Sequence, residues 1–87
     1  MPLEIHSSAR KHYKPHKLND ELVLYAADHV LQSRPLDDEE NPQRWLMIGV
    51  DPGGRLIELV LLQFDDGREI IIHAMKARRK YTDELYF

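Results

Sequence analysis

The sequence contains no cysteine and no long uninterrupted apolar run. The absence of cysteine excludes a disulfide framework and a zinc site with cysteine ligands, and it fits a reducing compartment. Because no stretch of about 18 apolar residues occurs, and because residues 1 to 6 lack the apolar centre of a signal peptide, we expect neither a membrane span nor export. We therefore predict a cytoplasmic protein without a membrane partner.

The sequence also lacks an excess of positive charge, although its charges are segregated. The net charge of −3 over 87 residues predicts no general attraction to nucleic acid. Two stretches are nevertheless basic, one from Arg10 to Lys17 and one from Lys76 to Lys80, and the acidic run from Asp37 to Glu40 lies between them. A contact with nucleic acid would therefore involve these two basic stretches.

The length of 87 residues leaves room for one hydrophobic core, so we predict a single domain covering residues 1–87. Apolar residues make up 43% of the chain and the charges are of mixed sign, which favours a folded protein over a disordered one. A domain of this size buries only about 60% of the surface of its unfolded chain. A stabilising partner or a homodimer is consistent with so small a core.

Apolar periodicity predicts one main helix in the first half of the chain. Asn19 is a favourable N-cap, and Asp20 and Glu21 suit the positive end of a helix dipole. Apolar residues then recur at three- and four-residue spacing, which predicts a helix over about residues 19 to 33. We expect a second, shorter helix over about residues 9 to 13.

Three apolar runs after the acidic run predict strands, at about residues 44–50, 55–64 and 69–75. Short turn sequences rich in aspartate and glycine separate them, so the strands should form an antiparallel meander. We predict an α+β fold in which N-terminal helices pack on a three- to four-stranded antiparallel sheet. Since the middle strand is apolar on both faces, we expect the N-terminal segment, the chain end or a partner to cover its second face.

The third predicted strand runs directly into the second basic stretch. If Ile70 and Ile72 face the core, strand alternation turns Ile71 and His73 to the other face, and His73 then lies beside the cations. Cleavage of RNA by its own 2′-hydroxyl needs a base, cations at the phosphate and an acid for the leaving oxygen. Four side chains here offer such groups: His73, Lys76, Arg78 and Tyr81. A solvated basic tail beside a half-buried histidine would show the same residues.

The first basic stretch combines cations with histidines and one tyrosine, as an arm that contacts phosphates would. A surface helix with solubilising charge explains the composition equally well. Pro15 lies between His12 and His16, which argues against a zinc site on a helix, and the acidic run lacks the glycine and ligand spacing of a calcium loop. We therefore predict no metal and no cofactor.

Three short motifs are spread over most of the chain: Arg10-Lys11-His12 before a helix, Arg44-x-Leu46-x-Ile48-Gly49 in a strand, and Ile71-Ile72-x-Ala74-x-x-Ala77 leading into Arg78. Together they resemble the BrnT-type toxins of bacterial type II toxin–antitoxin pairs, which have a RelE-like ribonuclease fold. Where that family has Ser-Ala-Arg at the end of the last strand, this chain has His73-Ala74-Met75. Lys76 or Arg78 would then have to supply the missing cation.

The resemblance implies a metal-independent endoribonuclease that inhibits translation by cleaving single-stranded or ribosome-bound mRNA, together with a cognate antitoxin protein encoded beside it. Our expected catalytic residues are His73 for proton transfer, Lys76 and Arg78 for phosphate charge, and Tyr81 for base stacking or proton donation. Our expected RNA-binding residues are Arg10, Lys11, His12, Arg79 and Lys80. The alternatives are a non-catalytic protein-interaction module and a small RNA-binding protein.

Overall fold

A computed structural model describes residues 3–38 and 40–86, with residues 84–86 described by their backbone alone, and shows an α+β fold. The elements in chain order are β1 (Leu3–Ile5), α1 (Ser7–Arg10), α2 (Tyr13–His16), α3 (Asp20–Asp28), β2 (Val30–Pro35), β3 (Gln43–Val50), β4 (Leu56–Gln63), β5 (Glu69–Lys76) and α4 (Arg79–Tyr86). One residue of the acidic run, residue 39, and the last residue, which belongs to the expected cover of the sheet, lie outside the described residues.

The predicted meander is confirmed, because β3, β4 and β5 pair antiparallel in the centre of the sheet. The predicted size and direction of the sheet are corrected. Its order is β1-β5-β4-β3-β2, so it has five strands and not three to four. It is mixed and not wholly antiparallel, because β1 runs parallel to β5. A strand of only three residues, such as β1, is too short to show a periodicity in the sequence.

The main helix begins as predicted but ends earlier. The Asn19 side chain accepts a hydrogen bond from the Leu22 amide at 2.9 Å, which caps α3. The predicted end near residue 33 is wrong, because the helix stops at Asp28 and Val30–Pro35 forms the edge strand β2. The apolar pair at the start of β2 fits helical spacing as well as strand pairing, so periodicity alone could not separate the two.

The N-terminal helices cover one face of the sheet, the helix-covered face. Side chains from α1, α3 and the loop between α2 and α3 pack there against β3, β4 and β5, in a core that includes Ala9, Leu18, Val23, Ala26, Met47, Ile57, Leu59, Leu61, Ile71 and Ala74. Gly49 allows α3 to approach closely, since a β-carbon at this position would lie 2.1 Å from the carbonyl oxygen of Ala26. The expected helix-on-sheet packing is therefore present on this face.

The second face is crossed by the C-terminal helix. Leu46 and Ile48 point to this face and are each 1% exposed. The helix α4 follows β5 directly and contacts β2 at the other side of the sheet. The backbone of α4 therefore runs across this face, where the two-sided apolar strand predicted a cover. The side chains of residues 86 and 87, which were the expected cover from the chain end, lie outside the described part of the chain. Among the helices of the described part of the chain, none is long and apolar enough to span a membrane.

Candidate functional site

A fully buried carboxylate lies on the second face of the sheet. Glu58 is 0% exposed and interrupts the apolar run from Leu56 to Leu62 in β4, and Ile48 lies beside it on β3. A carboxylate without partners at such a position would cost several kcal/mol. Glu58 instead accepts hydrogen bonds from two residues of the predicted site, His73 and Arg78.

Arg78 holds both oxygens of Glu58. Its backbone amide donates to Oε1 at 2.8 Å, its Nε donates to the same oxygen at 3.1 Å, and its Nη2 donates to Oε2 at 2.9 Å. This two-pronged arrangement fixes the plane of the guanidinium. The Arg78 side chain is nevertheless 45% exposed. One edge of the guanidinium is therefore held by Glu58, while the remainder can meet an anion from solvent.

His73 is oriented by the same carboxylate. Its Nε2 lies 2.9 Å from Oε2 of Glu58, and its side chain is 21% exposed. Because a carboxylate only accepts hydrogen bonds, this contact places a proton on Nε2 and leaves the lone pair of a neutral ring on Nδ1. Nδ1 makes no hydrogen bond within the described part of the chain. His73 therefore has the tautomer in which Nδ1 can accept a proton.

The charge state of Glu58 follows from its contacts. Burial by itself would raise the pKa of this carboxyl, but the hydrogen bonds from His73 and Arg78 outweigh burial and lower the pKa to about 2. Glu58 is consequently ionised at neutral pH. It can orient His73 and Arg78 electrostatically, but it holds no proton to give to a leaving group.

A β-bulge turns His73 toward Glu58. Leu61 pairs with Ile71 and Val60 pairs with His73, so Ile72 is an extra residue on β5. The expected strict alternation is therefore wrong: Ile71 is fully buried on the helix-covered face, whereas His73 projects from the opposite face. Bulges commonly re-aim side chains beside active sites.

The remaining residues of the second basic stretch are placed differently from one another. Tyr81 joins the site, since its ring lies 5.0 Å from the Arg78 guanidinium carbon and 4.8 Å from Nζ of Lys80. Arg79 is 92% exposed and pairs with Asp83 along α4. Lys76 pairs with Ile57, so it projects from the helix-covered face and away from Glu58.

The first basic stretch reaches the site through one residue. The ring of His12 lies 5.2 Å from the ring of His73, centroid to centroid, at an angle of 65°. Lys11 is exposed beside it. Arg10 instead donates two hydrogen bonds to Asp20, at 3.1 and 2.9 Å, and thereby ties α1 to the start of α3.

Sequence reasoning missed Glu58, the residue at the centre of the site. A signal was available, because Glu58 is a single carboxylate inside the apolar run from Leu56 to Leu62. Charged residues are rarely fully buried unless they are paired, so a lone acid in a central strand predicts a partner. The identity of the partners depends on the bulge and on the backbone path after β5, which the sequence pattern does not show.

No family model matches this chain, and no curated protein matches it. Among the side chains of residues 3–38 and 40–83, no three histidines, aspartates or glutamates are grouped as ligands for a metal ion.

Proposed function

We propose that this protein is a metal-independent endoribonuclease of the BrnT toxin type, with a RelE-like arrangement of helices on a sheet, which inhibits translation by cleaving mRNA. The observation that carries the proposal is the buried Glu58, which holds a histidine and a half-exposed arginine side by side. The three sequence motifs that resemble the BrnT toxins support the choice of family. The same resemblance supports neutralisation by an antitoxin encoded beside the toxin.

The chemistry is attack of an RNA 2′-hydroxyl on the adjacent phosphorus. His73 takes the 2′-hydroxyl proton on Nδ1 while Glu58 stabilises the imidazolium that forms. Arg78 donates hydrogen bonds to the phosphate oxygens as negative charge develops on them. Since Glu58 fixes both groups before RNA binds, little reorganisation is needed during the reaction. DNA lacks the 2′-hydroxyl and is not a substrate.

Arg78 can supply the cation that the family motif places at the end of the last strand. Met75 occupies the place of that family arginine, and Arg78 reaches the same face of the sheet from the beginning of α4. Lys76 has no part in the proposed reaction, because it projects from the other face. Tyr81 lies against Arg78 and offers its ring for stacking on a base beside the cleaved phosphate.

The test is an RNA-cleavage assay with purified protein in buffer containing EDTA, on an unstructured labelled RNA and on mRNA bound to ribosomes. We expect cleavage by the unaltered protein and a loss of at least about 100-fold in His73→Ala and in Arg78→Ala. The matched controls are His29→Ala and Arg68→Ala. His29 stacks on Tyr25, and Arg68 pairs with Asp66 in the turn before β5, so neither contacts Glu58.

The controls should cleave RNA at the rate of the unaltered protein. Full activity in both His73→Ala and Arg78→Ala would overturn the site assignment, and a loss of activity in EDTA would overturn the metal-independent reaction. Expression in bacteria provides a second measurement. The unaltered chain should arrest growth, and co-expression of the protein encoded beside it should restore growth.

A non-catalytic interaction module is the second candidate. Three large apolar side chains are 38 to 49% exposed, Leu24 and Tyr25 on α3 and Leu31 on β2. Neighbouring exposed apolar residues, such as Leu24 and Tyr25, are typical of protein-binding surfaces. This candidate requires a tight complex with a partner protein and no RNA turnover at any protein concentration, whereas the endoribonuclease requires turnover.

A further inference from the structure

The proposed reaction needs an acid for the leaving 5′-oxygen, and Glu58 cannot serve because it is ionised and fully enclosed by its partners. Tyr81 packs its ring against two cations, with the Arg78 guanidinium carbon at 5.0 Å and Nζ of Lys80 at 4.8 Å from the ring centroid. The attacking and leaving oxygens lie in line through the phosphorus, so the acid must reach a different oxygen from the one that the base contacts. The ring of His12 lies beside that of His73 and is the second titratable side chain in contact with it, after Glu58.

The backbone builds this contact through hydrogen bonds between the N-terminal segment and β5. The parallel strand β1 pairs only with the first residues of β5, as far as Ile71. The His6 amide then donates to the Ile71 carbonyl at 2.8 Å, and Oγ of Ser8 donates to the Ile72 carbonyl at 2.8 Å. These two bonds anchor α1 at the bulge, so the same irregularity in β5 positions both His12 and His73.

The ring of His12 is held in place by packing and not by polar contacts. It is half-buried against His73, and no hydrogen bond joins either ring nitrogen to another described residue. The ring centroids of His12 and His73 lie 5.2 Å apart. Two hydrogen bonds of about 3 Å each, one from each ring to oxygens on one phosphorus, can bridge that distance. One phosphodiester can therefore contact both histidines at once.

We propose that His12 is the general acid of this site and acts with His73 as a two-histidine pair on RNA. The bond from O2′ to phosphorus forms and the bond from phosphorus to O5′ breaks. His73 receives the 2′-hydroxyl proton and protonated His12 gives its proton to O5′, so the products are a 2′,3′-cyclic phosphate and a free 5′-hydroxyl. This inference rests on the proposed ribonuclease function and deepens it.

The test uses an RNA in which sulfur replaces the bridging 5′-oxygen at the cleavage site mapped for the unaltered protein. A thiolate leaves without a proton, so the sulfur substrate does not need the acid. We expect His12→Ala to cleave the oxygen substrate at least about 100-fold more slowly than the unaltered protein, and the sulfur substrate at nearly the unaltered rate. His73→Ala should be slow on both substrates, because each still needs the base.

The matched control is His29→Ala, which should cleave both substrates normally. His12→Gln repeats the test with a polar side chain, in case His12→Ala fails to fold by circular dichroism. Equal slowing of both substrates in the His12 variants would overturn the acid role and leave a binding or packing role. Unchanged cleavage of the oxygen substrate would overturn it as well. A failure of the unaltered protein to cleave either RNA would overturn the proposed function itself.

Discussion

Two buried carboxylates, one in a turn and one in a strand, each bind an arginine, yet they serve different purposes. Asp51 begins the turn between β3 and β4 and is 7% exposed, and Glu58 lies in β4 and is 0% exposed. Arg55 donates to Asp51 and also to the carbonyl oxygens of His16 and Lys17, which ties the turn to the end of α2. Arg78 donates to its carboxylate alone and remains 45% exposed.

The two pairs differ in how much of each guanidinium group remains available to bind another group. All three guanidinium nitrogens of Arg55 donate within the protein, to a carboxylate and two backbone carbonyls, so Arg55 stabilises a junction between a turn and a helix. Arg78 is oriented by Glu58 but keeps part of its guanidinium open to solvent, and His73 shares the carboxylate. A buried acid therefore indicates a functional site when its partners retain unused hydrogen-bonding groups.

The largest expected effect is a loss of stability, and it should differ between variants of the two arginines. Arg55→Ala should lower the free energy of unfolding by about 3–5 kcal/mol, because it leaves Asp51 without its cation and two carbonyl groups without a donor. Arg78→Ala should cost less, about 1–3 kcal/mol, because Arg78 supports one partner whereas Arg55 supports three. In both variants the carboxylate keeps other donors: His73 and a backbone amide for Glu58, and two backbone amides for Asp51. Urea unfolding monitored by circular dichroism measures both. A larger loss in Arg78→Ala than in Arg55→Ala would contradict the comparison.

The two pairs also show how much of the fold and of the site can be predicted from the sequence. The meander, the start of α3 and the need for cover on the second face follow from periodicity and capping residues, because those signals are local. The strand β2, the parallel strand β1 and the bulge at Ile72 depend on which segments meet in space. His73 and Arg78 could be selected by residue type, whereas Glu58 and the contact of His12 with His73 required the register of β5.

Low pH is expected to destabilise the protein through Glu58. The folded-state pKa of Glu58, about 2, is below its ordinary value of 4.5, so its contribution to stability is complete above about pH 5 and is lost as the pH falls toward 2. Integrated over this range, the loss is on the order of 3 kcal/mol. Chemical unfolding at a series of pH values should show this loss in the unaltered protein.

Glu58→Gln isolates that contribution, since glutamine does not titrate. The variant should be less stable at pH 7, and its stability should fall less steeply between pH 5 and pH 2 than that of the unaltered protein. Other acids, among them Asp20, Asp51 and Asp66, whose pKa values are also lowered, are present in both proteins and cancel in the difference. Parallel pH curves for the two proteins would show that Glu58 titrates normally.

The smallest expected effect is that of Asp51→Asn. Asparagine keeps a side-chain oxygen that accepts from the Gly53 and Arg55 amides, as Asp51 Oδ1 does at 3.0 and 2.8 Å, and only the charged contact with the Arg55 side chain weakens. We expect a loss of about 1 kcal/mol in urea unfolding and unchanged RNA cleavage. Since Asp51 anchors a turn and contacts neither histidine, a marked loss of cleavage at unchanged stability would mean that the turn, and not Glu58 alone, orients the reacting groups.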